Sequence, residues 1–397
     1  MSEQQTAMRA LTLTALIVTT PGAPAVSFDV GEDVELKFSG RLMLDSKIAT
    51  TDPADTRDFD VRRARLGFGV EWDDWEFRVR ANFPDGELGL NDLRLDYEGF
   101  DDVGLRLGLM QEPFSMVVLE SSNDLTLMER PLPAAFAPSY NFGADMGTRG
   151  EYWGARIGAY GPFIDSPAIA DPDDDYALTG RITGTPWRRD NLLVHVGGAL
   201  SFRRPPDDDE VDFSSDPESF LLEDLIISSR DAEETDDYVL TGLEFALRAN
   251  SRLLRTEYIR ADIDQEDDEE DDPDAGYWGY YVEGNWILTG ERRDYSTSNG
   301  IFYGVEPERP VRLRSLSSPL ELFTRGAWEL AARYSYVDFE DGEELDGDRG
   351  EAFALGLNWY PMEHVKLMLN GVHVQREESD GDKTDESLVQ TRLQYFF

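Results

Sequence analysis

The feature that most constrains this chain is a two-residue hydrophobic period that repeats along nearly its whole length. In one run, Ala64, Leu66 and Phe68 alternate with Arg63 and Arg65. Alternation of this kind predicts amphipathic β-strands that have one apolar and one polar face. A dry core could not hold so many unpaired arginines, so the pattern favours a wet interior over the core of a soluble β-sandwich.

Sixteen such segments follow one another, and no long apolar run interrupts them. A membrane helix needs about 20 consecutive apolar residues, whereas a tilted membrane strand needs only about ten. An even number of alternating segments is typical of bacterial outer-membrane barrels. We therefore predict an all-β fold, a 16-stranded antiparallel transmembrane β-barrel, with strands at 33–46, 58–72, 75–84, 90–99, 103–110, 143–150, 151–160, 176–185, 191–203, 235–248, 251–263, 276–289, 327–339, 351–361, 364–376 and 385–397.

The predicted connections alternate between tight turns and long acidic loops, as expected of short periplasmic turns and longer outer loops. Residues 290–326 break this rule, because they are long but fall on the short side, where a further strand could be hidden. The long loops are predicted at 47–57, 161–175, 204–234, 262–275, 340–350 and 377–384.

Residues 1–25 are predicted to be a secretory signal, which leaves 26–397 as the barrel domain. Arg9 supplies a positive charge, residues 10–20 are mostly apolar, and small residues end the segment. These are the three parts of a signal peptide. The alternatives are a disordered N-terminus or a true start at Met8.

Three stretches, Val61–Phe68 (VRRARLGF), Leu107–Pro138 (LGLMQEPFSMVVLESSNDLTLMERPLPAAFAP) and Tyr281–Tyr295 (YVEGNWILTGERRDY), resemble the phosphate-selective porins, the O and P porin family. The resemblance spans most of residues 33–397. It implies a sixteen-stranded barrel, a homotrimer, and a third loop folded into the lumen. It also implies passive uptake of phosphate or similar anions through a narrow basic constriction.

The segment 111–142 is predicted to be that constriction loop. Its many apolar residues would be out of place in a loop that extends into water, and long loops in compact folds are usually functional. The family usually has Lys-Glu before the Pro-Phe of this loop, whereas this chain has Gln111 and Glu112, so we predict weak phosphate binding. The candidate constriction residues are Gln111, Glu112, Ser121, Ser122, Asn123, Asp124 and Arg130.

Cationic side chains of the polar face are predicted to line the pore, where fixed charge sets ion preference and arginine suits oxyanions. They are Arg63, Arg65, Arg78, Arg80, Arg94, Arg106, Arg156, Arg181, Arg333 and Lys366, and on the same face Arg248, Arg255 and Arg392. We expect about half of them to pair with inward acids, because a cation beside a low-dielectric wall seeks a partner. The candidate acids are Glu76, Asp96, Glu98, Glu244, Glu257, Glu283 and Glu329.

Aromatic residues recur on the apolar face, as in the aromatic girdles of outer-membrane barrels. Trp75, Trp153 and Trp286 are examples. At the C-terminus, Leu393, Tyr395 and Phe397 resemble the signal that the outer-membrane assembly machinery recognises. An ordinary amphipathic last strand is the alternative.

The formal net charge is −44, and acidic runs crowd the predicted loops at 207–210, 231–237, 262–274 and 340–348. They are read as a solvated surface, as adaptation to a salty exterior, or as loose divalent-cation ligands.

Catalysis is not predicted, because the chain has three histidines, no cysteine and no recognised catalytic or nucleotide-binding motif. No cofactor, metal site or nucleic-acid partner is predicted. The favoured function is an outer-membrane porin for small hydrophilic solutes, chiefly anions such as phosphate. The alternatives are a general low-selectivity porin and a surface-exposed structural or adhesive barrel. Predicted partners are outer-membrane lipid and lipopolysaccharide, small anions in transit, the assembly machinery and two further copies of the chain.

Overall fold

The computed structural model describes 15–18, 25–31, 33–51, 59–83, 88–161, 176–205, 211–222, 225–229, 235–265, 275–312, 318, 321–340 and 347–397. Its regular structure is almost entirely β, with single helical turns at Met116–Leu119, Leu132–Phe136 and Glu321–Thr324. None of the helices among these residues is long and apolar enough to cross a membrane.

Sixteen long strands form the wall of a closed antiparallel barrel, as the alternation predicted. They are β1 (Val34–Thr50), β2 (Phe59–Trp72), β3 (Trp75–Asn82), β4 (Gly89–Tyr97), β5 (Val103–Gln111), β6 (Tyr140–Arg149), β7 (Trp153–Gly161), β8 (Tyr176–Arg189), β9 (Leu192–Arg204), β10 (Thr235–Ala249), β11 (Arg252–Gln265), β12 (Ala275–Ile287), β13 (Ala327–Asp338), β14 (Arg349–Met362), β15 (Val365–Glu377) and β16 (Lys383–Phe396). Each strand pairs with the next, and β16 pairs with β1 from Leu388 opposite Thr50 to Phe396 opposite Arg41.

The barrel has two ends, which we call the turn end and the loop end. The start of β1, the end of β16 and the tight turns, such as 73–74 and 190–191, lie at the turn end. The loop end holds the long connections, including 112–139 and 205–234. At the turn end, the backbone N–H of Gly40 donates to the Phe397 carbonyl at 2.8 Å, which continues the closing ladder past β16.

Side chains alternate between the outside and the interior because the side-chain period of a strand is two. On β8, Leu178 and Ile182 are exposed while Thr179 and Arg181 are buried. The predicted girdle residues Trp75, Trp153 and Trp286 lie on the exposed outer face.

A β-bulge in β2 changes which side chains face inward. Met43 pairs with Arg63 and Asp45 pairs with Asp60, so β2 has one residue more than β1 over this stretch. A bulge of this kind redirects neighbouring side chains. As a result, both Arg62 and Arg63 reach Glu129 in the interior.

The connection 112–139 folds into the barrel and packs against strands β9–β15. Phe114, Leu127 and Phe136 from this segment are buried among inward-facing wall residues such as Ile259 and Ala354. We call residues 112–139 the constriction loop.

Two inward-facing glycines make room for this loop. A Cβ at Gly356 would lie 2.6 Å from Cδ2 of Leu127, and one at Gly242 would lie 3.2 Å from Cζ of Phe114. Larger residues at these two places would displace the loop from the wall.

Residues 211–222 and 225–229, which belong to a second connection, also fold inward, although the sequence predicted an outer acidic loop at 204–234. The rings of Phe213 and Phe136 are 5.3 Å apart, and Leu221 packs with Leu388. Glu218 forms an ion pair with Arg333 at 2.5 Å. We call residues 211–222 and 225–229 the second inward loop.

The long connection 288–326 at the turn end adds no barrel strand in its described part, so the count of sixteen stands. It holds a short hairpin, in which Tyr295–Ser296 pairs with Ile301–Phe302. Arg293 anchors the connection inside the barrel through Glu329 at 3.0 Å.

The predicted acidic runs and the predicted signal segment lie only partly within the described residues. Most of the acidic runs, at 207–210, 231–234, 266–274 and 341–346, lie outside the described residues. Of the predicted signal segment, Ala15–Val18 forms a strand that pairs with Ala25–Asp29, which in turn pairs with the start of β1.

Candidate pore and constriction

A cavity of about 1010 Å³ lies inside the barrel. One side is the polar face of strands β1–β8, and the other is the constriction loop together with the 295–303 hairpin. It extends from Glu35 and Glu71 at the turn end to Ser121 and Tyr140 beside the loop. The part of the interior that faces β9–β15 is occupied by the inward loops.

Charged side chains dominate the lining. Eleven lysines and arginines and eight aspartates and glutamates line the cavity, although acids outnumber bases 81 to 37 in the whole chain. The interior surface is therefore slightly basic in a strongly acidic protein.

Most of the wall arginines contact carboxylates. Arg78 lies 2.5 Å from Glu76, and Arg80 lies 3.0 Å from Asp92. Arg106 and Arg156 both pair with Asp145, which is buried behind them. These contacts weaken the field that the arginines project into the cavity.

The prediction that about half of the inward cations are paired was too low. Among the described residues, ten of the thirteen have a carboxylate within 4.0 Å, and only Arg65, Arg248 and Lys366 do not. The inward loops supply part of the difference, because they bring in Glu120, Glu129 and Glu218.

Two wall arginines beside the constriction loop lack a carboxylate within 4.0 Å among the described residues. Nη2 of Arg41 donates to Oγ of Ser121 at 2.8 Å, and Nη1 donates to Oγ of Ser122. Nε of Arg65 is buried without a hydrogen-bond partner. The unneutralised positive charge of the cavity is therefore concentrated here, beside two hydroxyl groups. Arg41 was not among the predicted pore residues.

Eight of the ten predicted pore-lining cations lie on the cavity surface: Arg63, Arg65, Arg78, Arg80, Arg94, Arg106, Arg156 and Arg181. Arg181 is mostly buried, because it also donates to the Asn299 carbonyl at 2.6 Å in the 295–303 hairpin.

For Arg333 and Lys366, the prediction that they line the pore is wrong. Both face the interior but are only 3% and 1% exposed, because the inward loops cover them. Arg333 donates to the Glu129 carbonyl at 2.9 Å, and Lys366 donates to the Leu125 carbonyl. They hold the constriction loop in place and do not line the cavity.

Six of the seven predicted constriction residues lie on the cavity surface, and Glu112 does not. Gln111, Ser121, Ser122, Asn123 and Asp124 line the cavity. Arg130 also reaches it, but its guanidinium donates to the carbonyls of Val117, Val118 and Glu120. The prediction that Glu112 lies at the constriction is also wrong, because its side chain is fully buried and forms an ion pair with Arg203 at 2.9 Å.

The barrel wall fixes the loop backbone through buried polar side chains: Glu257, predicted as an inward acid that pairs with an arginine, and two asparagines that the sequence did not single out. Glu257 accepts from the N–H groups of Met116 and Val117, both at 2.9 Å. Asn370 accepts from Met128 N–H at 2.8 Å, and Asn358 donates to the Thr126 carbonyl at 2.7 Å. Since buried hydrogen bonds of this kind are costly to break, the loop is held as a rigid edge of the cavity.

Two loop carboxylates have shifted pKa values. Burial raises the pKa of Asp124 to about 6, against the opposing effect of Arg293. Burial also acts to raise the pKa of Glu129, but Arg62, Arg63 and Arg392 outweigh it and hold that pKa well below its usual value.

The three residues predicted as an assembly signal lie at the closing seam. Leu393 and Tyr395 are exposed on the outer face, and the ring of Phe397 covers Gly40.

A protein-family model described as Phosphate-selective porin O and P matches residues 39–397. Porin O of Pseudomonas aeruginosa is 25% identical, over 96% of this chain and 94% of that protein. The fold resembles an anion-selective porin from Comamonas acidovorans, with a TM-score of 0.56, 11% identity, and coverage of 92% of this chain and 100% of the other. It also resembles the outer-membrane channel DcaP of Acinetobacter baumannii, with a TM-score of 0.57, 11% identity, and coverage of 93% and 99%.

Proposed function

Because the chain belongs to the phosphate-selective porin O and P family, an outer-membrane channel family, we propose that it is a passive channel for small anions. Phosphate is among these anions, but it binds only weakly. The family description, which names a phosphate-selective porin, and the name of the Pseudomonas relative, which is a porin, support anion transport.

The observation that carries the proposal is the arginine pair at the constriction. Arg41 faces Ser121 and Ser122 without a carboxylate partner among the described residues, and Arg65 lines the same cavity. Guanidinium and hydroxyl groups donate hydrogen bonds, so they can replace the water that an oxyanion loses in a narrow passage. The fixed positive charge of the guanidinium repels a cation, and unlike a hydroxyl oxygen it has no lone pair to offer one.

The acidic loops do not contradict this assignment. Exposed charges separated by more than about 10 Å are largely screened at 0.1 M salt. Local charge at the narrowest point therefore decides ion preference more than the net charge of −44.

Single-channel recording in planar bilayers under a KCl gradient tests the proposal. The reversal potential is expected to indicate a preference for chloride. Strong cation selectivity would show that the acidic loops control the pore. Absence of any conductance from correctly folded protein would favour a structural or adhesive barrel.

Export and assembly belong to the same proposal. Residues 1–25 are removed as a signal peptide, and the last strand is recognised by the assembly machinery through Leu393, Tyr395 and Phe397. Three copies assemble in the membrane beside lipopolysaccharide. N-terminal sequencing of the mature protein and its mass in detergent test the cleavage site and the trimer.

A further inference from the structure

A row of paired residues crosses the outer face of the barrel near its turn end. Arg189 on β8 pairs with Leu192, Leu192 with Ala249, and Ala249 with Arg252 on β11. Trp286 on β12 pairs with Arg252 and ends the row. We call these five residues the outer arginine row.

The neighbouring row towards the barrel centre is entirely apolar. Trp187, Val194, Leu247 and Leu254 pair across the same four strands, β8 to β11. Trp187 is 52% exposed and Leu254 is 45% exposed, so this surface faces outwards into lipid. The change from an apolar row to one with two cations marks the level of the lipid headgroups.

Both arginines of the row lie over tryptophan rings. The guanidinium of Arg189 is 5.4 Å from the ring centre of Trp187, and that of Arg252 is 5.0 Å from the ring centre of Trp286. Neither arginine has a carboxylate within 4.0 Å among the described residues, unlike most of the interior arginines. An aromatic ring orients a guanidinium without neutralising its charge.

The surroundings form a concave and basic surface. A hollow of about 440 Å³ next to the row is lined by Tyr152, Trp187, Arg188 and Arg189, among others. Arg292 adds a cation and donates to the Asp190 carbonyl at 2.8 Å. The acids of this region are Glu151, Asp190 and Asp294, and Asp294 is 3.8 Å from Arg292.

We propose that the outer arginine row binds the phosphate headgroup of an anionic phospholipid in the periplasmic leaflet. Three strand spacings separate Arg189 from Arg252, or about 14 Å, so each arginine can hold a headgroup of its own, with Leu192 and Ala249 between them. The arginine fork matches phosphate oxygens, and the apolar row above receives the acyl chains. Basic clusters at a membrane surface attract anionic lipids, and such a local site is needed in a protein whose net charge repels them.

Tryptophan quenching by brominated lipids tests the site. The folded barrel is placed in phosphatidylethanolamine vesicles that contain an equal fraction of brominated phosphatidylglycerol or brominated phosphatidylethanolamine. The wild type should be quenched more strongly by the anionic lipid, because Trp187 and Trp286 lie at the site. Arg189→Gln with Arg252→Gln should reduce this preference about fivefold for each arginine removed.

Arg260→Gln is the matched control, because Arg260 is exposed near the loop end and pairs with Asp262 at 2.6 Å. It should keep the wild-type preference. Equal quenching by both lipids in the wild type, or an unchanged preference in the double variant, would overturn the proposal. So would loss of the preference on adding millimolar inorganic phosphate, which would identify free phosphate as the ligand. Because neither arginine lines the cavity, unchanged conductance verifies folding of the double variant, and the single variants replace it if it misfolds.

Discussion

Nη2 of Arg41 lies 2.8 Å from Oγ of Ser121, and this hydrogen bond joins the barrel wall to the constriction loop. One side of the contact is a full positive charge, and the other is a hydroxyl group that can turn its proton towards a passing anion. The contact therefore places a positive charge and a hydroxyl group side by side on the cavity surface.

Arg41→Gln should shift the reversal potential towards cation preference. A unit charge a few Å from the ion contributes about 1 kcal/mol in a wet pore, so the anion-to-cation permeability ratio should fall about fivefold. The Arg260→Gln variant, which removes an exposed outer charge, should leave the ratio unchanged. An unaltered ratio in Arg41→Gln would show that another part of the pore selects the ion.

Anion preference should increase as the pH falls from 7 to 5. The pKa of Asp124 is raised to about 6 by burial, so this lining carboxylate is charged above that pH and neutral below it. Protonation removes a negative charge near Arg41. Reversal potentials recorded across this range should change with a midpoint near 6.

Asp124→Asn supplies the control for this pH effect. The variant should show the low-pH selectivity of the wild type at every pH between 5 and 7. If it titrates like the wild type, a different group is responsible.

The strands could be predicted from the sequence because alternation is a local signal. All sixteen predicted segments correspond to barrel strands, and most ends agree within a few residues. The bulge in β2 was not predictable in this way, since an extra residue shifts the register without changing the apolar pattern of its neighbours. For that reason Arg62 was missed as an interior residue.

The interior was predicted less well than the wall. Val211, Phe213 and Leu221 carry the same apolar signal as the constriction loop, but the acids around them suggested a loop in water. Once such a loop covers the wall, cations such as Arg333 are buried and paired. Pairs such as Glu112 with Arg203 join residues far apart in the sequence, so no local pattern reveals them.

Removing the second inward loop should enlarge the channel. Replacing residues 211–229 by a short Gly-Ser linker takes away Glu218 and the apolar residues that pack on Phe136 and Leu388. Single-channel conductance should rise, since loops that fill the interior limit its cross-section. Arg333→Gln in the same background controls for the arginine left without its partner, and an unchanged conductance in both would contradict a restricting role.

Arg392→Ala should strongly destabilise the barrel. Arg392 contacts Asp45 and Glu129 at 2.6 Å each, and all three are buried. Breaking a buried ion pair leaves uncompensated charge and typically costs about 3–5 kcal/mol. Urea unfolding followed by tryptophan fluorescence measures the loss. Arg260→Ala breaks an exposed pair and should cost about 1 kcal/mol or less.

Phosphate should block chloride current only at many millimolar. A tight phosphate site must replace the hydration of a doubly charged ion with several convergent, unneutralised donors. Gln111 occupies the position at which the O and P porin family usually has lysine. The guanidinium of Arg130 already donates hydrogen bonds to three loop carbonyls. Arg78, Arg80 and Arg106 are neutralised by carboxylates, which leaves Arg41, Arg65 and two serine hydroxyls.

The block is measured by titrating phosphate into a chloride solution at constant ionic strength. Gln111→Lys provides the matched comparison, since it restores the cation at a position that lines the cavity. It should lower the concentration for half-block by several-fold. Wild-type block at micromolar phosphate would contradict the argument, because it would require donors that the carboxylates and carbonyls of this pore have already engaged.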